Sequence, residues 1–311
     1  MGIEQELATL SPPRETILAI GVFDGVHAGH RFLLERLQQR AVEHDLLTGV
    51  VTFNPHPQSV LHPDDQLPWL CSVEDRVTAL RSLGIGIVAV ITFTPGVAAM
   101  SAREFMSAIK KHLRMRGVVV GPDFTLGRGQ EGDIDTLRTL GHEMDFSVEA
   151  VPPYTIDGVV VSSTLIRQAL VQGDMARVEE LMGRRFHLRG KVVTSDKRGR
   201  VLGYPTANLS LMPQQALPNN GIYATIAHVA GKAYSSATSI GVRPTFGEGE
   251  KKVETYLLGY EGDLYNEELR VEFVRKLRDE ERFSTAEELK AQIEKDVQEV
   301  ENILGSGLIS A

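Results

Sequence analysis

The sequence of 311 residues contains a single cysteine and a single tryptophan. The lone cysteine, Cys71, excludes an intramolecular disulfide and a metal site built from several thiolates. Because this usage is typical of a reducing compartment, we predict a cytoplasmic location. Apolar runs are also short, well below the ~18 residues that a transmembrane helix needs. A membrane is therefore not an expected partner.

Positive charge is scarce as well. Lys and Arg number 33 against 41 Asp and Glu, which gives a net charge of −8. Since a broad nucleic-acid surface needs clustered Lys and Arg, nucleic acid is not an expected partner. Small anions are not excluded, because a few local donors can hold them. The sequence leaves open whether the chain forms a homo-oligomer.

The first half of the chain alternates apolar, β-rich runs with amphipathic helical patterns. Near-continuous apolar strands that alternate with helices are typical of a parallel sheet covered on both faces. We therefore predict a Rossmann-like α/β domain over residues 1–183. Its five expected strands are TILAIGVF, LLTGVVTF, GIVAVITF, RGVVVG and FSVEAV.

The second half, residues 184–311, has short strands separated by Gly, Pro and Asn turns, a pattern that predicts an antiparallel β-barrel. One helix, STAEELKAQIEKDVQEVENIL, follows the strands. Ser284 and Glu287 have the spacing of a capping box at its start. An apolar stripe should pack this helix onto the barrel, and it consists of Leu289, Ile293, Val297 and Val300.

The stretch GVFDGVHAGH, residues 21–30, lies where the first strand gives way to a helix. This position is at the carboxyl edge of a parallel sheet, where α/β folds bind ligands. The free N–H groups of a helix N-terminus suit a phosphate, and Gly25 and Gly29 allow close backbone approach. His27 and His30 could donate hydrogen bonds to charge that develops in a transition state. Zinc binding is a weaker alternative, because no third ligand is evident. A purely structural role for the two histidines is a second alternative.

Two further segments have residues suited to anions or to a rigid loop. In SSTLIR, residues 162–167, hydroxyl groups open a helix and could cap it or donate to phosphate oxygens. Arg167 could clamp a phosphate with two hydrogen bonds, or simply lie at the surface. In TFNPHP, residues 52–57, the prolines predict a rigid loop that carries His56.

The segment GPDFTLGRGQEGD contains a G-x-G-x-x-G pattern formed by Gly127, Gly129 and Gly132. With Glu149 as the acidic partner, it supports an alternative function, that of an NAD(P)- or flavin-dependent oxidoreductase. The residues PDFTL separate the strand from the first glycine, where that fingerprint requires an immediate turn. A non-catalytic flavin sensor is a third alternative.

The second half has no G-x-x-x-x-G-K-[ST] motif, which excludes a P-loop phosphate site there. In SDKRGRVLGYPTANL, glycines allow a tight phosphate loop, and Thr206 and Asn208 offer hard oxygen ligands suited to Mg²⁺. Glu254 lies in an alternating strand pattern, so its side chain takes one definite face, where a carboxylate could accept a proton. Glu267 and Glu268 are the alternatives, although they resemble turn residues.

Taken together, these motifs resemble one family. HAGH resembles the HxGH signature of the nucleotidyltransferase superfamily, and the longer GVFDGVHAGHRFLL is similar to that of the bacterial bifunctional riboflavin kinase/FAD synthetases. The other motifs follow in that family's order over nearly the whole chain: TFNPHP, VVVGPDFTLGRGQEGD, VSSTLIRQAL, YPTANL, NNGIYA, SIGVRPTFG, VETYLL and LRDEERF. The sequence departs from the family pattern at Pro122, Leu126, Ser195 and Tyr204.

The resemblance implies that the barrel phosphorylates riboflavin to FMN and that the α/β domain joins FMN to AMP, giving FAD and pyrophosphate. ATP is the co-substrate of both reactions and Mg²⁺ the implied metal. The resemblance assigns catalytic roles to His27, His30 and Glu254. In the α/β domain it places ATP and phosphate on Gly21, Phe23, Asp24, Gly25, Gly29, Ser162, Ser163, Thr164 and Arg167, and FMN on His56, Asp123 and Phe124. In the barrel it places ATP on Gly199, Gly203, Thr206 and Asn208, Mg²⁺ on Thr206 and Asn208, and riboflavin on Arg278 and Phe283.

Overall fold

A computed structural model describes residues 2–64, 67–194, 203–242, 251–305 and 308–309 of the chain. The chain divides into two compact units, residues 1–163 and 164–311. This division lies earlier than the predicted boundary at 183/184, because the two helices that precede the barrel belong to the second unit. These helices are α8 (Ser163–Gln172), which starts at the last residue of the first unit, and α9 (Met175–Met182).

The first unit contains a five-stranded sheet in which every pairing is parallel. The strand order is β3-β2-β1-β4-β5. The order of the strands therefore reverses between β1 and β4, and β1 is the strand that precedes HAGH. The predicted parallel α/β domain is confirmed. The strands are β1 (Thr16–Ile20), β2 (Leu47–Asn54), β3 (Ile87–Thr92), β4 (Met115–Val120) and β5 (Ser147–Ala150).

Helices cover both faces of this sheet. Along β1, Leu18 packs into one apolar cluster and Ile17 into the other, because successive side chains of a strand point to opposite faces. A hairpin of β6 (Thr155–Ile156) and β7 (Val159–Val160) follows β5. The helices are α1 (Ile3–Ala8), α2 (Ala28–Glu43), α3 (Pro57–Leu61), α4 (Val73–Ser82), α5 (Pro95–Ala98), α6 (Ala102–Leu113) and α7 (Ile134–Met144).

The second unit contains the predicted antiparallel barrel, closed by six strands. They follow the order β10-β13-β8-β9-β12-β11, and β11 pairs back onto β10. The short β9 begins within YPTANL, after the predicted glycine loop. The strands are β8 (His187–Val193), β9 (Ala207–Ser210), β10 (Gly221–Val229), β11 (Lys232–Val242), β12 (Lys251–Leu257) and β13 (Glu268–Arg278), with β14 (Leu308–Ile309) added beside β11.

The barrel interior is partly polar. Four hydroxyl side chains are completely buried there, on β10, β11 and β12. The Thr225 hydroxyl lies 2.8 Å from that of Ser236 and 2.7 Å from that of Thr238, which in turn lies 3.0 Å from that of Thr255. Because each buried hydroxyl has a hydrogen-bond partner, this connected network avoids the cost of burying unpaired polar groups.

Helix α10 (Ala286–Leu304) packs two residues of its predicted apolar stripe, Val297 and Val300, on the barrel, and Leu289 lines a cleft of the same unit. Val300 is fully buried against Ala224 and Leu258, with Val297 beside it. The expected cap at Ser284 is wrong by one residue. Thr285 is the N-cap and accepts from the Glu288 N–H, because the backbone turns helical only at residue 286. The Glu288 carboxylate accepts in return from the Ser284 N–H.

Candidate functional site

The loop between β1 and α2, residues 21–27, presents the two predicted histidines. His27 is the N-cap of α2, and its Nδ1 accepts from the His30 backbone N–H at 3.3 Å. An Nδ1 that accepts has no proton, so in neutral His27 the proton is on Nε2. The cap therefore leaves His27 as an Nε2–H donor at the positive end of a helix dipole.

The two imidazoles form a compact pair. Their ring centroids are 3.6 Å apart, and their planes differ by 18°. His27 is buried, and the ring of Phe23 lies 5.0 Å from that of His30 and belongs to the core. The pair is thus fixed between the helix end and the core. In the described residues no group of three His, Cys, Asp or Glu side chains is placed to hold a metal ion.

The His27 ring leaves little room for a side chain at Gly29. A Cβ on Gly29 would lie 3.2 Å from the Cε1 and Nδ1 atoms of His27 and 3.3 Å from the carbonyl oxygen of Val161. The absence of a side chain therefore lets the imidazole fold over the first turn of α2 and lets the segment before α8 approach it.

We expect Gly29→Ala to lower the rate of FAD formation from FMN by about tenfold, since small misplacements of a catalytic group are costly. The rate of FMN formation should not change, and neither should the unfolding midpoint by more than a few degrees. Steady-state assays of the two reactions check this. An unchanged FAD rate would mean that the His27 ring position does not matter for that reaction.

The predicted phosphate-site residue Asp24 has a buried carboxylate that holds the loop. It accepts from the backbone N–H of Leu70 at 3.0 Å and of Cys71 at 3.3 Å. The Gly25 N–H donates to Cys71 Sγ at 3.2 Å, and the Ser163 hydroxyl donates to the Asp24 carbonyl oxygen at 3.0 Å. The lone cysteine is therefore part of the support for the histidine loop, a role that sequence reasoning missed.

The other predicted phosphate-site residues lie in the loop after β1 and at the start of α8. The Gly21 N–H donates to the Val51 carbonyl oxygen, which joins the loop to β2. The Phe23 side chain is buried in the core, so only its backbone faces the loop. Ser162 lies directly before α8, and Thr164 and Arg167 lie in the first turns of that helix, within the second unit.

His56 lies in a cluster that the sequence did not predict. It is the N-cap of α3, and its ring contacts that of Trp69 at 5.2 Å in an edge-on arrangement. The fully buried Arg76 places its guanidinium 4.7 Å from the centre of the Trp69 ring. Arg76 Nη1 also donates to the Phe53 carbonyl oxygen at 2.9 Å, at the carboxyl end of β2. The signal available in the sequence was the single tryptophan, close to NPHP.

The glycine-rich segment after β4 is built to pack against α6. A Cβ on Gly127 would lie 2.6 Å from the Ala102 backbone nitrogen, and one on Gly132 would lie 2.7 Å from the Ala102 Cβ. Phe124 packs against the adjacent core, and Asp123 lies in the exposed turn before it. Packing against Ala102 therefore explains these two glycines without a dinucleotide.

Glu149, the acid that the oxidoreductase alternative requires, is already occupied. Its carboxylate accepts from Arg36 Nε at 2.5 Å and also from Arg40. Burial alone raises the pKa of Glu149, but the hydrogen bonds from Arg40 and Arg36 outweigh it and hold the pKa below its ordinary value. The fingerprint's acid thus joins β5 to α2.

In the second unit, the candidate kinase residues meet on the outer face of the barrel. Along β12, Val253 and Thr255 point inward, so Glu254 points outward and is half-buried. Asn208 pairs directly with Glu254 across β9 and β12, and the Thr206 hydroxyl lies 3.5 Å from Glu254 Oε2. Gly203 precedes them with an exposed backbone, whereas Gly199 and Ser195 lie outside the described residues.

Arg278 and Phe283 line a cleft of about 540 Å³ on the same unit, a volume suited to a small ligand. Arg278 is fixed by a two-point salt bridge, with Nε 2.8 Å from Asp296 Oδ1 and Nη2 2.7 Å from Oδ2. Hydrogen bonding to Asp296 raises the pKa of Arg278, so the guanidinium stays charged. Its carbon Cζ lies 5.9 Å from the centre of the Phe283 ring.

A parallel α/β unit with HAGH at the start of its first helix, joined to a closed antiparallel barrel with a terminal helix, defines a two-domain transferase of the nucleotidyltransferase and riboflavin kinase fold types. Two family models match the chain: FAD synthetase over residues 10–165 and riboflavin kinase over residues 182–304. The chain belongs to the bifunctional riboflavin kinase/FMN adenylyltransferase family.

Individual relatives agree with this assignment. The Pseudomonas fluorescens bifunctional riboflavin kinase/FMN adenylyltransferase is 38% identical over 96% of each chain, and the protein of that name from Escherichia coli K12 is 36% identical over 92% of each chain. A crystal structure from Streptococcus pneumoniae, described as a macrolide-efflux protein, has a TM-score of 0.87 at 29% identity and covers 95% of this chain and 97% of its own. Among the described residues of our chain, no helix is long and apolar enough to cross a membrane.

Proposed function

We propose that this chain carries out both reactions of its family in sequence, first the phosphorylation of riboflavin and then the adenylylation of the resulting FMN. The observation that supports the proposal is that each unit brings candidate residues for one reaction together: the histidine pair in the first unit, and Glu254 with Thr206 and Asn208 in the second. Riboflavin, FMN and ATP are then the small-molecule substrates. The prediction of a cytoplasmic location rests on the single cysteine.

In the adenylyl transfer, a phosphate oxygen of FMN attacks the α-phosphorus of ATP, and the bond to the β-phosphate oxygen breaks to release pyrophosphate. His27, through Nε2–H, and His30 donate to the oxygens that gain charge around the α-phosphorus. The N-terminus of α2 adds backbone donors at the same point. Asp24, Cys71 and Ser163 keep this loop in place through their hydrogen bonds.

In the kinase reaction, the 5′-hydroxyl oxygen of riboflavin attacks the γ-phosphorus of ATP, and ADP leaves. Glu254 accepts the proton of that hydroxyl as the new P–O bond forms. The rest of the catalysis is positioning, because phosphoryl transfer requires alignment of the attacking and leaving oxygens and stabilisation of charge.

The oxygen atoms on the outer face of the barrel are suitable ligands for Mg²⁺. The hydroxyl of Thr206 and the amide oxygen of Asn208 are hard oxygen ligands, and both lie next to Glu254. A site with few protein ligands suits Mg²⁺, which usually takes its remaining ligands from phosphates and water. Bound there, Mg²⁺ would neutralise phosphate charge during the transfer.

A time course tests the two-step proposal. The purified protein is incubated with riboflavin and Mg-ATP, and the flavins are separated by chromatography. We expect FMN to appear first and FAD to follow. FMN without FAD would support only the kinase activity. Pro122 and Leu126, where the chain departs from the family pattern, would then be the first residues to replace by those typical of the family. Bound riboflavin with no product would favour the flavin-sensor alternative and reject the enzyme.

A further inference from the structure

The register of the barrel lines up five residues in one row across its outer face. Each residue pairs directly with the next across a strand boundary, and directly paired residues of antiparallel strands point to the same face. The order across β9, β12, β11, β10 and β13 is Asn208, Glu254, Ser239, Ile222 and Arg278. Neighbouring strands are about 4.8 Å apart, so successive residues of the row are separated by about this distance.

The two ends of this row have different chemistry. Asn208 and the adjacent Thr206 form the polar end, which we proposed as the phosphate and Mg²⁺ site. At the other end, Ile222, Arg278 and Phe283 line the cleft of about 540 Å³, which also includes Leu289 of α10. Glu280 and Glu281 also line the cleft, and its apolar side chains together with Arg278 offer contacts suited to a flat aromatic ring. Ser239 lines the same cleft and is the next residue to Glu254 in the row.

Ser239 differs from the other hydroxyl residues nearby on β11. Ser236 and Thr238 point into the barrel and are hydrogen-bonded in its buried network. The Ser239 side chain points outward and is half-buried, and its hydroxyl makes no hydrogen bond to any residue within the described ranges. A half-buried hydroxyl that lines a cleft can satisfy its hydrogen-bonding capacity with a ligand.

We propose that Ser239 binds the polyol chain of riboflavin as that chain passes from the ring cleft to Glu254. The inference rests on the proposed kinase function and adds a substrate-binding residue to it. If the ring occupies the cleft and the 5′-hydroxyl reaches Glu254, the hydroxyl-bearing chain between them must cross the Ser239 position. Ser239 then donates to or accepts from a chain hydroxyl and helps to select flavins with a polyol chain.

Two flavins that differ only in this chain test the proposal. Lumiflavin has the ring of riboflavin with a methyl group in place of the polyol. For Ser239→Ala we expect the KM for riboflavin to rise about 3- to 10-fold, the effect of one lost hydrogen bond, with kcat nearly unchanged. Dissociation constants, measured by quenching of flavin fluorescence, should show the same loss for riboflavin and none for lumiflavin. Ser210→Ala, at an exposed serine ending β9, is the matched control.

The outcomes separate the inference from the function beneath it. Equal weakening of riboflavin and lumiflavin would overturn it, because Ser239 would then shape the ring cleft. Unchanged binding of both flavins would overturn it as well. If the unaltered protein neither binds nor phosphorylates riboflavin, the proposed kinase function itself fails, whatever the variant does. An unfolding curve for Ser239→Ala that matches the unaltered protein confirms that the variant is folded.

Discussion

Replacing His30 by alanine should lower FAD formation from FMN by roughly 10²- to 10³-fold, the usual cost of one donor to a charged transition state. FMN formation from riboflavin should keep its full rate, because the barrel has its own site. The variant keeps the backbone N–H that caps onto His27 Nδ1, so the loop between β1 and α2 retains its hydrogen bond. What it loses is the ring stacked 3.6 Å from that of His27.

Separate assays of the two reactions, started from riboflavin or from FMN, measure this effect. His44→Ala is the matched control, since His44 is an exposed histidine at the other end of α2. His27→Asn is a useful companion, because asparagine can also cap a helix and so removes the ring without removing the cap. Full FAD synthesis by His30→Ala would remove the catalytic role of the pair and leave it as helix capping.

Replacing Glu254 should have the opposite effect. We expect Glu254→Ala to lower FMN formation by about 10²- to 10⁴-fold, the range for loss of a general base, and to leave the conversion of supplied FMN to FAD unchanged. Glu254→Gln should be nearly as inactive, since the amide keeps the volume but cannot accept the proton. The side chain is half-buried on the outer face of β12, so neither change creates a cavity in the barrel.

Glu268→Ala is the control for this second prediction. Glu268 is exposed at the start of β13 and lies 3.3 Å from Arg189, so its loss should not alter either reaction. The measurement is the initial rate of FMN formation at saturating riboflavin and ATP. A normal rate in Glu254→Ala together with a defect in Glu268→Ala would move the role of proton acceptor to Glu268.

Much of the site could be placed from local sequence, for reasons particular to each segment. HAGH follows an apolar strand and starts a helix, so its position at the carboxyl edge of the sheet follows from the α/β pattern alone. The alternation around Glu254 fixed the face of its side chain, because strand side chains alternate. The capping position of α10 was misplaced by one residue, since neighbouring Ser284 and Thr285 both have the chemistry of a cap.

Other features depended on contacts distant in sequence. The Asp24 carboxylate accepts from the backbone N–H groups of Leu70 and Cys71, and no local sequence pattern predicts that pairing. Gly127 and Gly132 matched a dinucleotide fingerprint, yet their lack of a side chain makes room for Ala102 at the start of α6. The need for glycine at these positions depends on which elements pack together. A sequence motif cannot distinguish a glycine that makes room for a helix from one that makes room for a ligand.

The sequence by itself determined the two fold types, their order along the chain and the residue types of both sites, because hydrophobic periodicity and motif spacing are local properties. Only the tertiary structure decided which residues share a face and a neighbour. The row from Asn208 to Arg278 combines residues from five strands, and the pairing of those strands exists only in the closed barrel. Ser239 became a candidate for substrate binding because the strand pairing of the barrel placed it in the lining of the cleft and next to Glu254.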